Sequence, residues 1–285
     1  MFEILTKRQL APAIVEMKVK APNVADSAKP GQFIIVRTDR FGERIPLTIC
    51  DYDKKEGSVT IVTQSIGIST KKINSYEPGE AFEDFAGPLG NPSDLLELPE
   101  EELKNQRILF VAGGVGTAPV YPQVKWLHQH GVTADVIIGA KTKDLFTYVD
   151  EMKTVGNVYL CTDDGSEGYH GMVTGLMEDL IERQGKEYDR CIIIGPMIMM
   201  KFASLTSKKY GIPTVVSLNA LMVDGTGMCG ACRVTVDGAT KFTCVDGPEF
   251  DGHKVDFDEA MRRQNMYKNN PKTNPETDNC KCHGK

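Results

Sequence analysis

One aspartate and three cysteines crowd a glycine-rich stretch near the C-terminal end. It reads Asp224-Gly-Thr-Gly-Met-Cys229-Gly-Ala-Cys232, with Cys244 after eleven intervening residues. A Cys-x2-Cys pair followed by a third thiol reads as a metal constellation in a reducing compartment, not as a disulfide framework. Plant-type [2Fe–2S] sites space their ligands Cys-x4-Cys-x2-Cys…Cys. Asp224 stands at the first position of that spacing, and a carboxylate oxygen also ligates iron. The candidate metal ligands are therefore Asp224, Cys229, Cys232 and Cys244. Gly225, Gly227, Gly230 and Ala231 let such a loop wrap closely and aim backbone N–H groups at sulfide. Zinc is the competing reading, although it normally takes a second Cys pair or a Cys/His set, and His253 lies well beyond. Asp224, standing before Gly225, also reads as a plain turn residue. Cys50, Cys161 and Cys191 are scattered singly as interior thiols. Cys280 and Cys282 sit in a polar tail and read as incidental.

Further candidates are loops suited to phosphates and a flat ring. Arg44-Ile-Pro46-Leu47-Thr48 puts a cation beside a rigid proline and a hydroxyl, suited to a phosphate and an isoalloxazine edge; a surface strand start is the other reading. Gly67-Ile-Ser69-Thr70 opens a predicted helix, where N–H groups and the dipole favour a pyrophosphate. The same residues also read as an ordinary N-cap. Gly87-Pro88-Leu89-Gly90 is a third tight loop. Gly113-Gly114-Val-Gly116-Thr117-Ala-Pro119 follows a predicted strand. Pro119 replaces the last glycine of the dinucleotide fingerprint, and Gly139-Ala140-Lys141 lacks its acidic residue, so the standard NAD signature fails. The strand–loop–helix junction still presents N–H groups to phosphate. Thr162-Asp163-Asp164-Gly165 and Gly195-Pro196 end two more predicted strands, at the edge where open α/β sheets bind ligands.

These loops need scaffolds. The chain has 285 residues, enough for about two domains at ~150 each, with 41% apolar residues and a net charge of −6. Thirty-three basic against 39 acidic residues argue against nucleic acid as the main partner. No apolar run approaches a membrane span of ~20 residues. The first residues lack the basic-then-apolar order of a secretory leader, so the expectation is a cytoplasmic protein. From Phe2 to about Leu98, β-rich runs such as Ile14–Val19, Gln32–Arg37 and Ser58–Val62 alternate with turns, which predicts an antiparallel barrel. From Arg107 the pattern predicts strands at 107–111, 134–139, 157–161, 190–194 and 214–217. Helices between them are predicted at about 118–130, 144–152, 172–184 and 197–210, an order that implies a parallel sheet. A short cluster segment, a helix at about 257–266 and a polar tail complete the chain. The expected modules are 1–100, 101–220, 221–250 and 251–285.

Taken together, the Arg44-x-Pro46-Leu47-Thr48, Gly67-x-Ser69-Thr70, Gly113-Gly114-x-Gly116-x-Ala-Pro119 and Gly195-Pro196 motifs resemble the ferredoxin–NADP reductase superfamily. The order of barrel, nucleotide domain and C-terminal [2Fe–2S] segment resembles the electron-transfer subunit of dihydroorotate dehydrogenase B. It is still more similar to the small subunit of NADH-dependent reduced ferredoxin:NADP+ oxidoreductase. The dihydroorotate-type subunit has Cys at the first ligand position, where Asp224 stands here. Ile194 stands where many superfamily members have Cys beside the nicotinamide.

The resemblance implies an oxidoreductase subunit carrying FAD and a [2Fe–2S] cluster and exchanging hydride with NAD(H). Arg44, Pro46, Leu47, Thr48, Ile61, Val62, Thr63 and Gly87 would border the flavin. Gly67, Ser69 and Thr70 would hold its pyrophosphate. Gly114, Gly116, Thr117, Asp163, Gly195 and Pro196 would line the NAD site. Lys141 and Lys143 could meet a 2′-phosphate, but the resemblance favours NAD(H). The implied partners are a large flavin and [4Fe–4S] subunit that binds NADPH and, through the complex, ferredoxin. A non-catalytic iron–sulfur carrier or sensor is the alternative of another class.

Overall fold

The turn-punctuated N-terminal stretch forms eight strands: β1 (Phe2–Ala11), β2 (Ile14–Lys20), β3 (Phe33–Arg37), β4 (Ile45–Thr48), β5 (Asp51–Asp53), β6 (Ser58–Gln64), β7 (Ala81–Phe82) and β8 (Asp84–Leu89). The computed structural model describes residues 1–266. These strands make a five-stranded sheet in the order β5-β6-β2-β1-β7 and a three-stranded sheet β4-β3-β8, every pairing antiparallel. The two curl round one core that includes Ile4, Met17, Val19, Ile34, Val36, Ile61 and Phe82. The expected antiparallel barrel is what the chain forms.

The second region alternates strands and helices: β9 (Ile108–Gly113), β10 (Asp135–Ala140), β11 (Asn157–Thr162), β12 (Tyr169–His170), β13 (Arg190–Ile194) and β14 (Thr214–Ser217). They lie parallel in the order β12-β11-β10-β9-β13-β14. Alternate residues feed two separate cores. Leu109, Val111, Ile137 and Ile193 face one side, while Phe110, Val136, Ile138 and Ile192 face the other. Burial on both faces is why these strands read as continuous apolar runs. Strand order reverses between β9 and β13, so the loops after them open one crevice, the switch point where such sheets bind ligands.

One expected element differs. The helix predicted over 144–152 is broken into a 3-10 turn at Lys143–Leu145 and a short helix at Val149–Lys153. Tyr148 between them has φ 59°, a left-handed conformation rare in a non-glycine residue. The break turns its ring into an apolar cluster with Ala11, Ile14, Cys50, Val62 and Ala118, shared by barrel and α/β region. Its hydroxyl donates to Glu16 of the barrel. Glu16 also receives both Nε and Nη2 of Arg8 at 3.0 Å each, and Arg8 reaches Glu151 at 2.7 Å. Tertiary contact has overridden local helix propensity here.

After β14 the chain leaves the sheet, forms the cluster loop and the hairpin β15 (Arg233–Val236) and β16 (Ala239–Phe242), then returns as β17 (Glu249–Asp251), antiparallel to β14. A helix follows at Phe257–Gln264, capped by the Asp256 carboxylate accepting from the Glu259 N–H at 2.8 Å. Among the described residues, no helix is long and apolar enough to cross a membrane.

β17 carries Glu249 into the junction of all three regions. One of its carboxyl oxygens accepts from Gln123 Nε2 at 2.7 Å, and the other is buried without a partner. Burial pushes this carboxyl up from 4.5 to about 7. A raised carboxyl binds more protons in the folded chain than in the unfolded one. The stability it contributes is therefore complete below pH 4.5 and is lost as pH rises to about 7. Urea unfolding at pH 5 and pH 7.5 should show this loss, and Glu249→Gln should flatten it.

Candidate cofactor sites

The cluster loop runs from β14 to β15 over the outer face of the three-stranded sheet. Phe33 and Ile35 of β3 point outward into an apolar cluster with Met222, Cys232 and Cys244, bordered by Ala86 and Leu89. Gly225 lies directly on this face with φ +83°, and a Cβ there would come within 2.9 Å of Ile35 Cγ1. Only glycine lets the ligand loop lie so low.

Two donor pairs result. Cys232 and Cys244 are buried free thiols with Sγ atoms 3.2 Å apart. Burial, with the neighbouring Cys232, pushes Cys244 up to about 12. Cys229 is exposed. Backbone N–H groups of Ala231 and Asp224 hold its thiol below the usual range. The Asp224 carboxylate accepts from the Thr226 hydroxyl at 2.5 Å and from the N–H groups of Thr226 and Met228 at 3.1 and 3.0 Å. Those bonds, led by the hydroxyl, keep it below the usual carboxylate range. Among the described residues no three His, Cys, Asp or Glu side chains converge on one point. A buried thiol pair, an exposed Cys229 and the Asp224 carboxylate, with N–H groups already aimed at sulfur, match the donor chemistry of a two-iron cluster. Cys50, Cys161 and Cys191 are buried elsewhere, their thiols all pushed up by desolvation, Cys161 to about 12. Cys280 and Cys282 lie outside the described residues.

The flavin-motif residues lie beside this loop. In the β3–β4 register, Phe33 faces Thr48 and Ile35 faces Pro46, so Pro46 and Thr48 share the outer face with the cluster segment. Leu47 instead packs against the barrel core. Ile61 is completely buried in that core, while Val62 belongs to the cluster between the two regions. Thr63 is buried, and its carbonyl accepts from Asn74 Nδ2 at 3.1 Å. At Gly87 a Cβ would strike Ile34 Cγ2 at 2.6 Å, so this glycine serves packing. At the helix Ile68–Ser75, Thr70 Oγ1 accepts from the Gly67 N–H at 3.0 Å, and the Ser69 hydroxyl donates to Glu43. The capping use of Thr70 is thus realised. Space above Gly67 is open, as an approaching phosphate requires. Arg44 donates to the carbonyls of Val223 and Asp224.

At the switch point, Gly114 has φ +57° and open space where a Cβ would stand. Thr117 Oγ1 donates to the Gly114 carbonyl at 3.1 Å, holding the turn that starts the helix Thr117–Gln129. Gly116 sits against β13, and a Cβ there would lie 2.3 Å from the Ile194 carbonyl oxygen. At Gly195 a Cβ would meet Met199 Cε at 2.6 Å and the Gly113 backbone at 3.2 Å, and Pro196 is the N-cap of the helix Met197–Lys209. Asp163 follows β11 on the same sheet edge, its N–H donating to the Ala140 carbonyl at 3.1 Å. Gly114, Gly116, Thr117, Gly195 and Pro196 therefore gather where the loops after β9 and β13 abut, with Asp163 further along the sheet edge. Sequence patterns gave no sign of Tyr148, Glu16 and Arg8, which join this region to the barrel, because no glycine or asparagine marks the left-handed turn.

A family model described as the iron–sulfur cluster binding domain of dihydroorotate dehydrogenase B matches residues 219–256. The chain is 58% identical over 269 residues to an uncharacterized protein in the adh 3′ region of Clostridium beijerinckii, covering 94% of this chain and 91% of that one. It is 44% identical over 270 residues to a homolog of the electron transfer subunit of dihydroorotate dehydrogenase B (NAD(+)) from Thermotoga maritima, covering 95% and 93%. A solved structure of NADH-dependent reduced ferredoxin-NADP oxidoreductase, studied for flavin-based electron bifurcation, superposes with a TM-score of 0.87 at 42% identity, covering 94% of each chain.

The Gly116 contact yields a direct test. A methyl group there meets backbone that cannot swing away, so Gly116→Ala should shift the helix Thr117–Gln129 off β13. The expected result is at least a tenfold rise in the Kd for NADH by fluorescence titration, with FAD retained.

Proposed function

The chain belongs to the family of dihydroorotate dehydrogenase B electron-transfer subunits, within the ferredoxin–NADP reductase superfamily, and from that premise we propose that it is the small subunit of an electron-bifurcating NADH-dependent reduced ferredoxin:NADP+ oxidoreductase. Its cofactors are FAD and an iron–sulfur cluster, with NAD(H) as substrate. Bound FAD would supply the chemistry that converts a two-electron hydride from NADH into single electrons for a one-electron cluster. The chain's residues position and insulate.

Gly114, Gly116, Thr117, Gly195 and Pro196 hold the dinucleotide at the switch point, with Asp163 along that edge. Arg44, Pro46 and Thr48 present the outer face of β4 to the flavin, with backbone of β6 at 61–63 and the open loop at Gly67, Ser69 and Thr70 beside it. Asp224, Cys229, Cys232 and Cys244 hold the cluster. The single observation that carries the reading is that β3 and β4 form one sheet face shared by the flavin motif and the cluster segment, which keeps a two-electron and a one-electron centre on one rigid support. Around exposed Cys229, the apolar Leu221, Val223, Met228 and Val245 are also exposed. That rim faces the larger flavin and iron–sulfur subunit, which binds NADPH and connects to ferredoxin. Partner docking is the expectation for 251–285 as well, of which 267–285 lie outside the described residues.

A second reading, the electron-transfer subunit of dihydroorotate dehydrogenase B itself, is favoured by the match at residues 219–256. Asp224 at the first ligand position favours the first reading. The neighbouring open reading frame separates them: a large glutamate-synthase-like flavoprotein in one case, a dihydroorotate-oxidising barrel in the other.

The chain purified without oxygen should show flavin absorbance that NADH bleaches, a [2Fe–2S] EPR signal after reduction, and about two iron atoms per flavin. Absence of flavin would leave only a carrier or sensor role. Asp224→Cys should keep the cluster and lower its midpoint potential, because thiolate stabilises ferric iron more than carboxylate does. An unchanged potential and EPR spectrum would remove Asp224 from the ligand set.

A further inference from the structure

Arg44 heads the flavin-motif strand, yet its guanidinium is turned to the cluster loop. Its Nε lies 3.2 Å from the Val223 carbonyl oxygen and its Nη2 lies 3.1 Å from that of Asp224. Its Nη1 is 4.0 Å from Asp84, a carboxylate already held by Arg37 at 2.5 Å. The two carbonyls belong to the residues that open the ligand loop. The next residue, Gly225, lies on Ile35 and Leu89. The start of the loop is thereby pinned at a polar point and an apolar point, both on the β4-β3-β8 sheet.

We infer that Arg44 is a positioning residue for the cluster: it clamps the ligand loop to the flavin-motif sheet and places a positive charge against the backbone of Val223 and Asp224. This rests on the cluster reading above and deepens it. The guanidinium fork of Arg44 meets two peptide oxygens at once, which the single ammonium of a lysine does not reproduce. Reduction adds negative charge to an iron–sulfur cluster, and potential follows local charge, hydrogen bonding and exposure. A nearby cation therefore favours the reduced state. Arg44 thus differs from a residue that only grips a flavin phosphate, because its loss is felt at the iron.

The test uses the whole chain purified anaerobically with its cofactors, comparing parent, Arg44→Gln and Arg44→Lys. Iron, sulfide and FAD contents are measured with the reduced-cluster EPR spectrum and a redox titration. Arg44→Gln should keep iron and sulfide, change the cluster g-values and lower its midpoint potential. Arg44→Lys should recover part of the potential but not the parent g-values. If Arg44→Gln does not fold, the Arg44→Lys spectrum decides alone. A variant that loses FAD while its cluster keeps the parent spectrum and potential overturns the inference and leaves Arg44 to the flavin. A parent chain without iron and sulfide overturns the cluster reading, and this inference with it.

Discussion

Strand β3 is buried on both faces, and the rest of the molecule is arranged around that fact. Ile34 and Val36 point into the barrel core, while Phe33 and Ile35 point out beneath the cluster segment. An antiparallel barrel strand ordinarily offers one face to solvent. Here the second face is covered by Met222, Cys232 and Cys244. Each buried aliphatic side chain contributes roughly 1.5–3 kcal/mol, so one strand anchors two cores. The cluster loop needs this support because its own hairpin, β15–β16, is too small to bury a core of its own.

A second constraint fixes the nucleotide crevice against the barrel. The Tyr148–Glu16–Arg8–Glu151 network and the apolar cluster beneath it join β1 and β2 to the loop before Val149. Lys125 adds an ion pair to Asp51 of β5 at 2.8 Å. Hydride transfer between two bound cofactors depends on their separation more than on any protein acid or base. Residues far from either ligand therefore bear on the chemistry by setting the angle between the regions. The return of the chain as β17 adds a third tie, with Glu249 reaching the helix Thr117–Gln129 from a strand beyond the cluster segment.

The candidate sites were unevenly legible. The spacing of Asp224, Cys229 and Cys232 is local, so sequence alone exposes it. The glycine loop at 113–117 was legible for the same reason, even with the usual dinucleotide fingerprint broken. The flavin side was less so. Leu47 and Ile61 pack on the barrel core, Gly87 lies against Ile34, and the Thr70 hydroxyl serves a helix cap. Which face of a strand meets a ligand depends on register and on what covers the other face, and neither is written in a short motif.

By itself the sequence determined the order of elements, the two-face burial of the parallel strands and the spacing of Asp224, Cys229 and Cys232. These follow from interactions between near neighbours: apolar periodicity, turn residues and ligand spacing. Only the tertiary structure decided that the cluster loop lies on the flavin-motif sheet, that Arg44 grips its carbonyls, and that a helix gives way to the left-handed turn at Tyr148. Each of these joins residues more than a hundred positions apart. Local propensity is worth less than about 1 kcal/mol per residue, and packing across such distances outweighs it.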